Sequence, residues 1–178
     1  MLCCFISCGD DVLPKPKGLL SLDYPKADYT FVTSNCPYGF DLNGLGKVSY
    51  KNDCSAEIEY PIMDGTLYLT YRKVDNNINT LLGDAQKITY EHTRKADNIL
   101  EEKYINDAQG VYGMFYDVSG NAASQSQFYV TDSTHHFITG SIYFRAKPNY
   151  DSIFPAAIYL KNDIRRLMET IRWEKRSE

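Results

Sequence analysis

The chain has 178 residues, of which 43% are hydrophobic, and it carries a formal net charge of -4 with a pI near 5.4. This length is sufficient for one domain with a core of its own. The acidic balance argues against a protein that binds nucleic acid through a basic surface. Beyond the first residues, no stretch approaches the roughly 20 apolar residues of a transmembrane helix.

The N-terminal residues have the layout of a bacterial lipoprotein signal. Residues 1–7 form an apolar run that ends in Ser7, and Cys8 is followed by a polar stretch. We therefore expect residues 1–7 to be a signal remnant and Cys8 to carry lipid, with palmitate among its acyl chains. The run is short and lacks a basic residue, so either translation starts upstream of Met1 or the sequence is trimmed. The alternative is an ordinary apolar N-terminus with a chance cysteine.

The remaining cysteines suggest an oxidised pair. Cys3 and Cys4 lie in the leader, which leaves Cys36 and Cys54 in the mature chain. An exported protein occupies a compartment that permits disulfides, so we expect a bridge that contributes up to about 3 kcal/mol. The alternative is two buried free thiols. The chain has no pair of CxxC motifs and no cluster of histidine and cysteine, so no zinc site is expected.

Residues 8–28 are predicted to form a tether that precedes a single globular domain at residues 29–178. Prolines and a glycine interrupt any helix in this segment, and lysines keep it solvated. Short β-rich segments follow at residues 29–33, 47–50, 55–60 and 66–72, separated by turn signals at 37–39, 43–44 and 64–65.

The second half of the chain alternates between helical and strand patterns. Residues 76–95 have apolar residues at helical spacing and alternating charges on the opposite face. A meander of strands is predicted next, at residues 99–105, 111–118, 126–131 and 136–146.

A second amphipathic helix is predicted after residue 149. Asp151 or Ser152 would cap it, Pro155 would fall in its first turn, and Asp163 with Arg166 would belong to its solvent face. Two amphipathic helices and about seven short strands without βαβ alternation predict an α+β domain, with one antiparallel sheet packed against helices. By architectural analogy alone, the arrangement is similar to the Mog1/PsbP-type sandwich.

Catalytic motifs are missing from the sequence. His92 lies at the edge of the first helix, and the adjacent His135 and His136 would point to opposite faces of a strand, so they do not easily share a metal. Neither Ser124 nor Ser126 lies in a GxSxG motif, and there is no HExxH and no glycine-rich phosphate loop. We expect no enzymatic activity, metal or cofactor; a hydrolase that uses His92 or His135 with Ser124 is the least favoured hypothesis.

A small, polar and uncharged segment at residues 120–127 separates two aromatic strands. It is a candidate contact loop in which another backbone approaches closely, and Gly120, Asn121, Ser124 and Gln125 would form the contact. A flexible hairpin connection is an equally good interpretation.

Several stretches resemble the gliding-motility lipoprotein family GldD. They are LPKPKG at 13–18, CPY at 36–38, DAQKITYEHT at 84–93, VYGMFY at 111–116, GNAAS at 120–124, FYVTDS at 128–133, FITGS at 137–141, YLKND at 159–163 and LMET at 167–170. The resemblance extends from about Cys8 to Trp173. It implies an exported protein that is lipid-anchored to the envelope of gliding bacteria, with no cofactor and no catalytic residues.

The resemblance also implies partners and a process. The protein is expected on a periplasm-facing membrane leaflet, in contact with other envelope proteins of the gliding apparatus, which is coupled to type IX protein secretion. The leading hypothesis is a scaffold or assembly factor. The alternative is an envelope module that binds glycan or lipid through some of its 15 tyrosines on one sheet face.

Overall fold

The computed structural model describes residues 22–92, 95–145 and 150–174, with the side chain of His92 left out. Within these ranges the strands are β1 (Tyr29–Val32), β2 (Tyr38–Asn43), β3 (Lys47–Tyr50), β4 (Ala56–Tyr60), β5 (Gly65–Lys73), β6 (Ala96–Asn106), β7 (Val111–Gly120), β8 (Ser126–Thr131), β9 (His136–Phe144) and β10 (Arg172–Trp173). The helices are α1 (Ile78–His92) and α2 (Tyr150–Glu169). The predicted α+β class is confirmed.

The strands form two antiparallel sheets. The large sheet has seven strands in the order β3-β4-β5-β9-β8-β7-β6, and the small sheet has the order β1-β2-β10. The predicted strands are present with small shifts at their ends. Strands β2 and β10, and with them the small sheet, were not predicted. The predicted signal remnant at residues 1–7 and the predicted tether up to residue 21 lie outside the described residues.

Each face of the large sheet is covered by a different layer. Alternate residues of β4, β5, β7, β8 and β9 point to the face that carries α2 and the small sheet, where Ile58, Phe115, Phe128 and Leu160 are buried in the main core. Helix α1 lies on the other face and buries a smaller cluster around Phe137. The main core therefore lies between the large sheet, α2 and the small sheet.

Two predictions about α2 are wrong. The helix begins at Tyr150, so Pro155 is its sixth residue and lies beyond the first turn. The predicted caps Asp151 and Ser152 lie inside the helix, and the backbone N–H of Tyr150 donates instead to Oδ1 of Asn121 at 3.0 Å. The acceptor for the first N–H group of α2 is thus supplied by the loop after β7. Local sequence patterns do not encode such a contact between distant residues.

The two ends of the large sheet carry different features. The described chain begins at one end of the large sheet, which we call the entry end. Tyr24 packs there on Tyr159 of α2, and the Tyr159 hydroxyl donates to the carbonyl of Pro25 at 3.0 Å. At the opposite end, the disulfide end, Cys36 is joined to Cys54. Strand β5 runs from the entry end to the disulfide end, and its nine residues span about 27 Å.

Candidate functional site

A polar groove of about 460 Å³ opens at the disulfide end. We call it the disulfide groove; its lining is Pro37, Asn52, Asp53, Cys54, Tyr71, Lys73, His135, His136 and Glu174. These residues come from five separate parts of the chain, and Pro37 and Glu174 adjoin strands of the small sheet. The lining carries both signs of charge together with an aromatic ring and two imidazoles, so it can offer hydrogen bonds of either kind to a bound group.

The disulfide holds one wall of this groove. Cys36 precedes β2, and Cys54 lies in the turn between β3 and β4, with Cα atoms 5.4 Å apart. Cys54 adopts a φ of 64°, in the left-handed region that few side chains favour. The hydroxyl of Tyr38 donates to the Cys54 carbonyl at 2.7 Å, which fixes this unusual turn against the core.

A row of four aromatic rings forms the floor of the disulfide end. Tyr38 lies 5.9 Å from Tyr71, Tyr71 lies 6.0 Å from His136, and His136 stacks on Trp173 at 5.0 Å. The Tyr71 hydroxyl and Nδ1 of His136 are 2.9 Å apart, and Nε1 of Trp173 donates to the Gly110 carbonyl. Because the four rings belong to β2, β5, β9 and β10, the row ties the small sheet to the large one.

The β8–β9 turn forms part of the rim of the disulfide groove, and the carboxylate of Asp132 holds this turn in place. Oδ1 of Asp132 accepts hydrogen bonds from the backbone N–H groups of Thr134, His135 and His136, at 3.0, 2.8 and 2.8 Å. Burial raises the pKa of Asp132, but these backbone bonds outweigh it, and the pKa lies below its ordinary value. The turn is therefore a fixed part of the rim while Asp132 is ionised.

A second groove, of about 500 Å³, opens at the same end on the α1 face of the sheet. We call it the helix groove; Leu82, Lys103, Tyr104, Ile105, Tyr112, Met114 and Tyr129 are among its lining residues. Its walls are mainly aromatic and aliphatic. Tyr112 and Tyr129 therefore lie on one concave surface, as the hypothesis of a ligand-binding sheet face requires. The Tyr104 side chain points to the other face of the sheet, where its hydroxyl donates to the Glu169 carbonyl at 2.8 Å.

The structure brings some of the candidate residues together and keeps others apart. Cys54, His135 and His136 meet at the disulfide groove, although their positions in sequence do not indicate it. Ser124 is fully buried, and its hydroxyl donates to the Ser126 carbonyl. It precedes β8 and His135 follows that strand, so about 17 Å of strand separates them and they form no catalytic pair.

The loop that was a candidate contact surface is mostly turned inward. Ser124 and Gln125 are buried, and Nε2 of Gln125 donates to the carbonyl of Ala122 at 3.0 Å. Gly120 has a φ of 93°, and a Cβ there would lie 2.7 Å from Asp97. Asn121 is exposed and bonds the start of α2. A role in binding another protein stays a prediction for this loop.

Asp163 was assigned to the solvent face of α2, and this prediction is wrong. Its side chain is 97% buried, since only 3% of the residue is exposed. Tyr29, Tyr60 and Asn43 surround it, yet neither carboxylate oxygen has a partner in full hydrogen-bond geometry among the described residues. Burial raises the pKa of Asp163, and its three polar neighbours lower it to a smaller extent. The residue lies in phase with the apolar stripe through Leu160, which is the signal that could have identified it.

The described ranges contain neither a metal-binding cluster nor a helix that could span a membrane. No group of three or more histidine, cysteine, aspartate or glutamate side chains there could hold a metal ion. No helix among the described residues is long and apolar enough to cross a membrane.

Comparison with known families gives one result. A family model described as gliding motility lipoprotein GldD matches residues 9–173. The match covers all of the described residues except Glu174, and it includes the helix groove, the disulfide and the rest of the disulfide groove. No curated protein matches the chain.

Proposed function

Since the chain belongs to the GldD family of gliding motility lipoproteins, we propose that it is a lipid-anchored scaffold or assembly factor of the gliding machinery, linked to type IX secretion. Lipid on Cys8 would hold the protein to a periplasm-facing leaflet, and residues 8–28 would link it as a tether to the domain at 29–178, with Tyr24 and Pro25 of the tether in contact with α2. The family match over residues 9–173 is the observation that carries this proposal. A lipoprotein family implies an exported, membrane-anchored envelope protein.

The disulfide end is the part of the domain that we propose for contact with other envelope proteins. It carries both grooves, and the Cys36–Cys54 bridge together with the aromatic row makes it the most cross-linked part of the described fold. A surface that is already ordered binds with less loss of conformational entropy. Lys73 and His135 are exposed at this end and accessible to a partner.

Gene deletion tests the process. Loss of surface spreading together with loss of secreted type IX substrates would support a place in the shared machinery. Loss of spreading with normal secretion would restrict the protein to motility and would remove the proposed link to type IX secretion. Normal spreading and normal secretion would contradict the proposal as a whole.

Photo-crosslinking in cells tests the proposed contact surface. A crosslinking amino acid in place of Lys73 lies at the disulfide end, and the same amino acid in place of Lys47, also an exposed lysine, lies at the entry end. We expect discrete adducts with other gliding or secretion envelope proteins from position 73 and not from position 47. Adducts from position 47 alone would contradict the proposed surface.

A second candidate function is favoured by the helix groove. Tyr112 and Tyr129 line a concavity large enough for a sugar ring or an acyl segment, and a tyrosine ring packs favourably against either kind of ligand. An envelope module for glycan or lipid would bind there. Tyr112→Ala should then abolish binding to envelope glycan or lipid extracts, whereas Tyr68→Ala, outside the groove, should not. Equal binding by both variants would eliminate this function.

A further inference from the structure

Three exposed aliphatic side chains belong to segments of the entry end. Leu22 is 48% exposed, Ile158 on α2 is 36% exposed, and Ile62 in the 3-10 turn Pro61–Met63 is 64% exposed. The turn is adjacent to α2, because Gly65, two residues after it, has no room for a Cβ, which would lie 2.9 Å from Cδ1 of Leu160. Ile62 has the largest exposed fraction of the large hydrophobic residues in the described ranges.

The point at which the chain enters the domain limits how the domain can face a membrane. Leu22 is the first described residue, and Tyr24 and Pro25 just after it contact α2. The proposed lipid attachment at Cys8 comes before Leu22 in the sequence. Even a fully extended chain between Cys8 and Leu22 spans no more than about 50 Å. The segment after Cys8 therefore joins the domain at the entry end and holds it near the bilayer, and the exposed aliphatic side chains there favour the orientation in which this end faces the lipid.

We propose that the entry end rests on the lipid headgroups, with Ile62 inserted at the boundary between headgroups and acyl chains. This inference rests on the proposed anchor at Cys8. An isolated exposed isoleucine in water is unremarkable, but apolar side chains held next to a bilayer gain by leaving water. The disulfide groove, about 27 Å away along β5, then opens to the aqueous side, where envelope proteins can reach it.

Fluorescence quenching by spin-labelled lipids tests the orientation. The full lipidated protein would be placed in vesicles of phosphatidylethanolamine and phosphatidylglycerol, with an environment-sensitive dye on Ile62→Cys. Lys73→Cys is the control, because Lys73 is exposed, lies at the disulfide end and lines the polar disulfide groove instead of the helix groove. We expect loss of most of the emission at position 62 and little loss at position 73.

The outcomes separate the orientation from the anchor. Co-flotation of the labelled protein with the vesicles is measured first, and its failure would reject the lipid anchor and this inference with it. Co-flotation with equal quenching at both positions, or with stronger quenching at position 73, would overturn the orientation and leave the anchor intact. Shielding of position 62 from an aqueous quencher without quenching by lipid would assign the entry end to a protein partner and would also overturn the inference.

Discussion

Replacement of Asp163 by asparagine should stabilise the protein at neutral pH. The carboxyl is buried, and neither of its oxygens has a partner in full hydrogen-bond geometry among the described residues. Asparagine has nearly the same shape, so the change leaves no cavity and removes the negative charge. The charge is what the substitution removes, since a buried ionised carboxyl costs the folded state more than a neutral amide of the same shape. We expect a gain of about 1 kcal/mol in the free energy of unfolding at pH 7, or about 2–4 °C in Tm.

The gain should depend on pH in a defined direction. Burial raises the pKa of Asp163 in the folded protein above the unfolded value of about 3.9. Each unit of that increase costs the folded state about 1.4 kcal/mol once the carboxyl ionises. The natural protein is therefore fully stable, with respect to this group, below the unfolded pKa, and it loses stability as the pH rises through the folded pKa. Asp163→Asn lacks this loss, so the two proteins should be equally stable near pH 4 and diverge toward pH 7.

Urea denaturation of the non-lipidated Cys8→Ala protein, followed between pH 4 and 8, measures the difference. Asp41→Asn is the control, because Asp41 accepts from the Arg166 guanidinium at 2.8 Å. That variant should lose up to about 1 kcal/mol at pH 7, the opposite sign. A loss of stability at pH 7 in Asp163→Asn would refute the reasoning, since it would mean that the surrounding tyrosines require an ionised acceptor.

Four further changes test individual contacts of the fold. Replacing both cysteines of the disulfide by serine should lower the free energy of unfolding by about 3 kcal/mol, and reductant should produce the same loss in the natural protein; insensitivity to reductant would contradict the bridge. Arg165→Lys should lose about 1 kcal/mol in urea denaturation, because lysine cannot make the two-point contact of Arg165 with Glu102 at 2.7 and 2.8 Å. Gly83→Ala on α1 should gain about 0.5–1 kcal/mol by thermal denaturation, since a Cβ there meets nothing within 4 Å. Gly113→Ala should instead destabilise, because its Cβ would lie 2.1 Å from the Tyr129 carbonyl oxygen, and a neutral result would show that β7 and β8 can separate at this point.

The sequence predicted those elements whose signals are local. The hairpins of the meander and both helices have periodic apolar residues and turn residues at their ends, and each is present. Strand β2 was missed because turn signals on both sides, at Pro37 and at Gly44, reduce the intervening segment to an apparent loop. Strand β10 is only two residues long and exists because Trp173 pairs with Tyr38, a contact across most of the chain.

The site was predicted in its parts but not in its assembly. The cysteines and histidines were recognised as candidates from residue type. Their convergence depends on the pairing of β5 with β9, where Lys73 lies opposite His136, and no local pattern specifies that long-range order. Asp163 was misplaced because its charge was given more weight than its phase in the helix. The buried environment supplied by Tyr29 and Tyr60 comes from distant strands.

The role of the lipid anchor is tested most directly by complementation of a deletion strain. The strain would receive either the natural gene or one encoding Cys8→Ala, with surface spreading and membrane fractionation as the two readouts. We expect the natural protein to fractionate with membrane and restore spreading, and the Cys8→Ala protein to accumulate outside the membrane fraction without restoring it. Full spreading with a Cys8→Ala protein that is absent from the membrane would contradict the account.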